Sequence, residues 1–229
     1  MAIEAEHIEA AVPVGRIVDL THVLVPDREQ YTLEIAQRGD RQGPEGDIMK
    51  SVYMWSHVGT HVEAPLHFLS AGGDTASIEV TRLMGPAIVL DFRHKEVNEA
   101  ISREELHAAG DVLVGDRVLT MTGRDHQYRT PSSHDRPYLT EEAVDWLVHD
   151  RKIACLGTDS SGYEVRGVDH HPNHRTLNEA GVPVLECLAN LQELRSQRIF
   201  LIALPLPVVG LDASPVRAIA IDPGAPVAG

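Results

Sequence analysis

Seven short runs rich in Val, Ile and Leu punctuate the chain: GRIVDLT around residue 18, SVYMWSH around 54, AIVLDF at 87–92, DRVLTM around 118, IACLGT around 155, VPVLEC around 184 and IFLIALP around 202. Runs of this length and β-branched content predict strands. Few of them alternate apolar with polar positions. Near-continuous apolar runs suit strands covered on both faces, so helices or a second sheet must lie above and below them. Ser102 through Ala109 carries a capping box, with Ser102 as N-cap and Glu105 three residues on. Thr140 stands before EEAVDWLVHD, whose acidic first turn suits the positive end of a helix dipole. A shorter helix is predicted from about Arg175 to Ala180, ended by Gly181 and feeding VPVLEC. The longest polar stretch, residues 123–137, reads as a surface or active-site loop. No repeat, low-complexity segment or Gly/Ser/Pro-rich linker divides the chain, so residues 1–229 are expected to form a single domain of α/β class.

Composition narrows the function classes. The 43% hydrophobic content suits a globular protein, and no run of 18 apolar residues suggests a membrane span. MAIEAEHIEAAVPVG lacks the basic and apolar regions of a signal peptide, so a cytoplasmic protein without disulfides is expected. Its two cysteines, Cys155 and Cys187, lie in apolar runs and read as small buried hydrophobes rather than thiolate ligands or nucleophiles. A net charge of −14 argues against nucleic acid and anionic membranes as partners and leaves a small molecule as the expected one.

Histidine distribution changes the picture most. The chain has 13 histidines in 229 residues, so an eleven-residue window should hold about 0.6. HVGTHVEAPLH, residues 57–67, holds three and a glutamate. His57, His61, Glu63 and His67 all fall at odd positions, which an extended chain would put on one face. Yet ten extended steps of about 3.3 Å span roughly 33 Å, far more than the separation of two ligands on one ion. A helix fails as well, because Glu63 would be rotated by about 200° from His61 and Pro65 drives Ala64 out of the helical region. A strand running into a turn remains, with Gly59 permitting close backbone approach and Pro65 directing the exit.

A second histidine cluster, DHHPNH at 169–174, precedes the short helix and lies a dozen residues before Glu186 in VPVLEC. A carboxylate inside an apolar strand is costly to bury unless paired or bound to a metal. The alternative is that Glu186 faces water on an edge strand and that 169–174 is a solvated loop. Imidazole with carboxylate suits Zn²⁺ or Mn²⁺, and the lack of clustered cysteines favours an open catalytic site over a closed structural one.

The run His57-x-Gly59-Thr60-His61-x-Glu63-x-Pro65-x-His67 resembles the H-x-G-T-H-x-D-x-P-x-H signature of the cyclase-like metal-dependent hydrolases, a family that includes bacterial kynurenine formamidase and isatin hydrolase. GPAIVLDF, RPYLTEEAVDWLV, LGTDSSG, GVPVLECLANL and LPLPVVGLDASPVRA resemble later family segments in the same order. The resemblance implies a swivelling β/β/α-type fold, a mixed sheet or partly closed barrel with peripheral helices, assembled as a homodimer or homotetramer. It implies that His57 and His61 bind a first metal, that Glu63 contacts one or both ions, and that His67 is the acid/base. His174 and Glu186 match the second histidine ligand and a bridging carboxylate, for one or two divalent ions per subunit. Two departures stand out: Glu63 occupies the family's aspartate position, and DLTHVLVPDREQY lacks the tryptophan expected near a kynurenine-type substrate.

The expected activity is metal-dependent hydrolysis of a non-peptide C–N bond in a small amide or lactam, with His67 moving the proton. Rival readings are a cyclase, dehydratase or lactone hydrolase at the same metal, and a non-catalytic metal-binding protein in which His67 is one more ligand. Trp55 and Trp146 read as core or interface aromatics, with Trp55, two residues before His57, the better candidate for a substrate wall. Asp159, Ser160 and Ser161 read as a polar strand-end turn, because no G-x-S-x-G elbow surrounds them. Asp212 and Ser214 read as turn-capping residues and Arg217 as an ion-pair partner, with a site-lining role equally open; His170 and His171 have no evident task.

Overall fold

A computed structural model describes residues 14–37, 48–168 and 170–224. The N-terminal stretch read above for a signal peptide, and Asp169 of the second histidine cluster, lie largely or wholly outside these residues. All seven apolar runs form strands. In chain order the strands are β1 (Arg16–Asp19), β2 (Leu33–Gln37), β3 (Lys50–Met54), β4 (His61–Glu63), β5 (Met84–Asp91), β6 (Ala100–Ile101), β7 (Arg117–Met121), β8 (Tyr138–Leu139), β9 (Cys155–Thr158), β10 (Val184–Glu186), β11 (Arg198–Ile202), β12 (Ala213–Pro215) and β13 (Ile219–Asp222). The helices are α1 (Val80–Leu83), α2 (Arg103–Ala109), α3 (Glu141–Asp145) and α4 (Pro172–Glu179).

Nine strands form one mixed sheet in the order β1-β13-β11-β5-β7-β9-β10-β4-β12. β5, β7, β9 and β10 run parallel at its centre, and the flanking pairs are antiparallel. Every residue of β7 and β9 is buried, as expected for strands covered on both faces. Side chains alternate between two cores: Ile88 and Leu90 pack with Leu106, Leu147 and Leu177 beneath the helices, while Ala87 and Val89 enter the other. That second core draws Val18 of β1 and Ala220 of β13 together with Val62 of β4 and Leu185 of β10. Strands near opposite ends of the sheet share one cluster, so the sheet curls around it as a partly closed barrel. No helix among the described residues is long and apolar enough to cross a membrane.

Both signalled helices form. Ser102 accepts from the Glu105 amide while Glu105 accepts from the Ser102 amide, and Thr140 accepts from Ala143. α3 continues as a wider π-turn over Trp146–Asp150. The third helix starts at Pro172, three residues before the predicted Arg175, because proline is well suited to a first turn whose amides need no partner. That shift moves His174 from a preceding loop into the helix. Arg217 pairs with Asp19, and Trp146 is buried, as expected.

The 57–67 stretch departs from the predicted order. Only His61–Glu63 is extended, as β4; His57 lies in the turn before it, and His67 ends the 3₁₀ turn Pro65–His67 after it. Gly59 has φ 71°, and a Cβ there would meet Leu24 at 2.3 Å, so glycine supplies both the left-handed turn and the close approach.

Candidate metal centre

Strand register assembles the site. β4 lies between β10 and β12, with Glu186 opposite His61 and Ala213 opposite Glu63. β10 is thus an interior strand, and Glu186 is only 8% exposed, which removes the alternative of a solvent-facing edge residue. Directly opposed residues share a sheet face, so His61, Glu63 and Glu186 project to one side. α4 brings His174 to them from the helical layer.

Two of the convergent donor groups are joined by Glu63. His57 Nδ1 lies 3.1 Å from Glu63 Oε1 and 3.2 Å from His61 Nε2. His174 Nε2 lies 3.2 Å from Glu186 Oε1 and 3.6 Å from Glu63 Oε2. Within each group the ligand atoms are no more than 4.8 Å apart. Each of the three histidines has its other ring nitrogen held by an acceptor: His57 Nε2 by Asp212 at 2.9 Å, His61 Nδ1 by the Gly59 carbonyl at 2.8 Å, and His174 Nδ1 by Glu164 at 3.0 Å. Such outer partners set the tautomer and orientation of metal-binding imidazoles.

A divalent cation fits this donor set. Glu63 is 3% exposed and its Oε2 is buried without a hydrogen-bond partner, a costly arrangement that a cation at the second group would relieve. Nitrogen and oxygen donors without sulfur match Zn²⁺ or Mn²⁺. Both cysteines are free, and burial pushes the Cys155 thiol up to about 12 and raises that of Cys187, so neither presents a thiolate.

The electrostatics agree. Burial disfavours a charged imidazole at His57, yet the Glu63 and Asp212 carboxylates outweigh it and raise its pKa to about 9. His174 is raised to about 10 against the same burial cost by Glu164, Glu186 and Glu63. Burial opposes ionisation of Glu63 too, but its histidine neighbours hold it well below the usual carboxylate range. In the metal-free protein these two imidazoles stay protonated through neutral pH. Loading a divalent cation at pH 7 is therefore expected to release about two protons, one from each, and affinity should climb as pH rises toward 9–10. Calorimetry in two buffers of different ionisation enthalpy counts these protons; a count of zero would contradict the ligand assignment.

His67 converges with His57 and Asp212 in a further donor group, on the more open side of the cluster. Its Nδ1 lies 3.1 Å from Asp212 Oδ2 and its Nε2 3.7 Å from Glu63 Oε1, and its side chain is 29% exposed against 4% for His61. Asp212 therefore does more than cap a turn: Oδ2 serves both His57 and His67, while Oδ1 accepts from Ser56 Oγ at 2.9 Å. Burial opposes its ionisation, but these donors bring its pKa down to about 2. Spacing gave no sign of Asp212 or of Glu164, which lie 155 residues from His57 and 10 from His174; the LDASPVRA segment was the one available pointer to the former.

The cluster opens into a cavity of about 400 Å³. Trp55 lines it, 52% exposed and stacked on Tyr31 with ring centroids 5.5 Å apart. Phe68 packs against both His67 and His174. The 123–137 loop supplies Tyr128, His134 and Arg136 to the wall, and His171, in a left-handed conformation at the head of α4, lines it as well.

Comparison with known proteins gives a consistent set. The Cyclase family model matches residues 18–165. The chain is 30% identical over 216 residues to kynurenine formamidase of Salinibacter ruber, covering 93% of this chain and 98% of that protein. Among solved structures it resembles isatin hydrolase A from Labrenzia aggregata bound to benzyl benzoate, with a TM-score of 0.77, 27% identity, and coverage of 90% and 93% of the two chains. It likewise resembles a protein described as a predicted metal-dependent hydrolase from Bacillus stearothermophilus, with a TM-score of 0.73, 28% identity, and coverage of 91% and 98%.

Proposed function

This chain belongs to the Cyclase family, and on that premise we propose that it is a metal-dependent hydrolase of a non-peptide C–N bond in a small amide or lactam. The observation that carries this reading is the set of three histidines, each turning one ring nitrogen to the Glu63–Glu186 pair while an acceptor holds the other. Its relatives named kynurenine formamidase and isatin hydrolase support the amide class.

His57, His61 and Glu63 would hold one cation, and Glu63, His174 and Glu186 a second, with Glu63 shared. When bound, a divalent cation supplies a Lewis acid that polarises a carbonyl and brings the acidity of water into the neutral range. The remaining tasks belong to side chains. With its Nδ1–H given to Asp212, His67 keeps a lone pair on Nε2, directed at the Glu63 side of the cavity. His67 Nε2 takes the proton of the attacking water and delivers it to the leaving nitrogen, so that water adds across the C–N bond and a neutral amine departs. Asp212 steadies the imidazolium formed between these transfers. Trp55 and Phe68, with Tyr31 from the end of DLTHVLVPDREQY, offer flat apolar surface to an aryl or other planar substrate body.

The test is turnover of N-formyl arylamines, isatin-like lactams and lactones by metal-loaded protein in ¹⁸O-labelled water. Hydrolysis should incorporate one labelled oxygen per product and cease when a chelator strips the metal. Inactivity toward every compound with stoichiometric metal present would defeat the reading.

A further inference from the structure

One charged group on the cavity wall takes no part in the chemistry above. Arg136 is 8% exposed and is the one Arg or Lys among the described residues that line the cavity. Its Nη1 donates to the His134 carbonyl at 3.1 Å and to Ser161 Oγ at 3.4 Å. Its Nε is buried without an acceptor, and no described carboxylate stands within ion-pair distance of the guanidinium. Arginines are rarely buried this far without a paired anion, because removing the charge from water is costly.

Neighbouring groups neither neutralise it nor duplicate it. Ser161 Oγ donates its single proton to the Ser133 carbonyl at 2.8 Å, so it accepts from both Arg136 and His134 Nδ1. Burial and the neighbouring Arg136 guanidinium lower the pKa of His134, which disfavours a second positive charge there. Glu186 is the nearby carboxylate, but its oxygens are turned to His174 at 3.2 Å and His61 at 3.9 Å. A Cβ on Gly162 would lie 3.1 Å from Glu186 Oε1 and 3.4 Å from Arg136 Nη2. Gly162, at φ 104°, thus lets the guanidinium stand immediately beside the ligand cluster.

We propose that Arg136 anchors an anionic subsite that receives a carboxylate borne by the substrate close to its scissile C–N bond. A planar guanidinium with free donor positions suits a carboxylate, which it can engage through two parallel hydrogen bonds. The substrate class becomes an acidic amide, such as an N-acyl amino acid or an ortho-carboxy anilide, rather than a neutral one. This inference rests on the hydrolase reading, and its test separates the two.

N-formylanthranilate and formanilide share a scissile formamide and differ by one carboxylate. The parent enzyme should favour the former in kcat/KM by about 10- to 100-fold, the range of a charge-assisted contact. Arg136→Gln should bring that ratio close to one, and Arg136→Lys, which keeps charge but loses the fork, should retain part of it. Independently, calorimetric titration of metal-loaded protein with benzoate should show binding weakened at least about tenfold by Arg136→Gln. An unchanged substrate ratio in Arg136→Gln would overturn the proposal. So would an equal fall for both formamides accompanied by loss of metal, which would make Arg136 a counter-charge for Glu186. Should the parent cleave neither formamide, the wider substrate panel decides the hydrolase reading while benzoate separately decides the subsite: weaker binding by Arg136→Gln supports it, and equal or no binding by both proteins refutes it.

Discussion

His67→Ala is expected to lower kcat/KM by about 10²- to 10⁴-fold while the protein keeps its full complement of metal. The separation of effects follows from geometry. His57, His61 and Glu63 converge within 4.8 Å without His67, and their orienting partners, Asp212 and the Gly59 carbonyl, remain in the variant. What disappears is an Nε2 lone pair facing the cavity, held ready by Asp212 at 3.1 Å from Nδ1. His67 is also the most exposed of the clustered histidines, so its truncation opens no sealed core. Kinetics with elemental analysis of the same preparation decide the point. Metal lost in proportion to activity would make His67 a ligand, as the non-catalytic rival requires.

Glu63→Ala should cost more than about 100-fold in metal affinity, beyond the 10- to 100-fold typical of an outer partner, because this carboxylate serves both donor groups. Glu63→Asp is the sharper probe, since it installs the residue found in the family signature. Oε1 and Oε2 now reach His57 at 3.1 Å and His174 at 3.6 Å. Removing one methylene withdraws both oxygens by about 1.5 Å, several times the ±0.2 Å tolerance of metal–ligand distances. β4 cannot slide to compensate, because it is hydrogen-bonded on one side to β10 and on the other to β12. The expected result is a drop from two ions per chain to one, with most activity lost. Full stoichiometry and activity in Glu63→Asp would show that the added methylene is not what spans the two groups.

Much of this arrangement is visible in the chain itself. His57, His61, Glu63 and His67 stand out because a local excess of histidine with a glutamate survives any folding, and the glycine and proline among them announce bends. β7 and β9 are legible because residues buried on both faces must be apolar throughout, whereas β1 and β3 are largely exposed and show only their β-branched and aromatic content. Harder to read are β4 and β12, three residues each, whose extended form comes from pairing with neighbours rather than from periodicity. The start of α4 is hidden for a similar reason, since polar residues around Pro172 look like a loop until His174 is seen to bond Glu164 through both its amide and its ring.

By itself, then, the sequence determined a β-rich α/β chain, a histidine–carboxylate donor set without clustered cysteines, and a net charge of −14. Each follows from composition or from residues close together along the chain. Tertiary structure alone decided that Glu186 is interior, that Asp212 joins His57 to His67, that Glu164 orients His174, and that Arg136 stands beside the cluster with no carboxylate among the described residues in ion-pair reach. Those facts depend on the register of β4 against β10 and β12 and on the docking of α4. Such contacts join residues from 10 to 155 positions apart, where sequence spacing carries no information about distance in space.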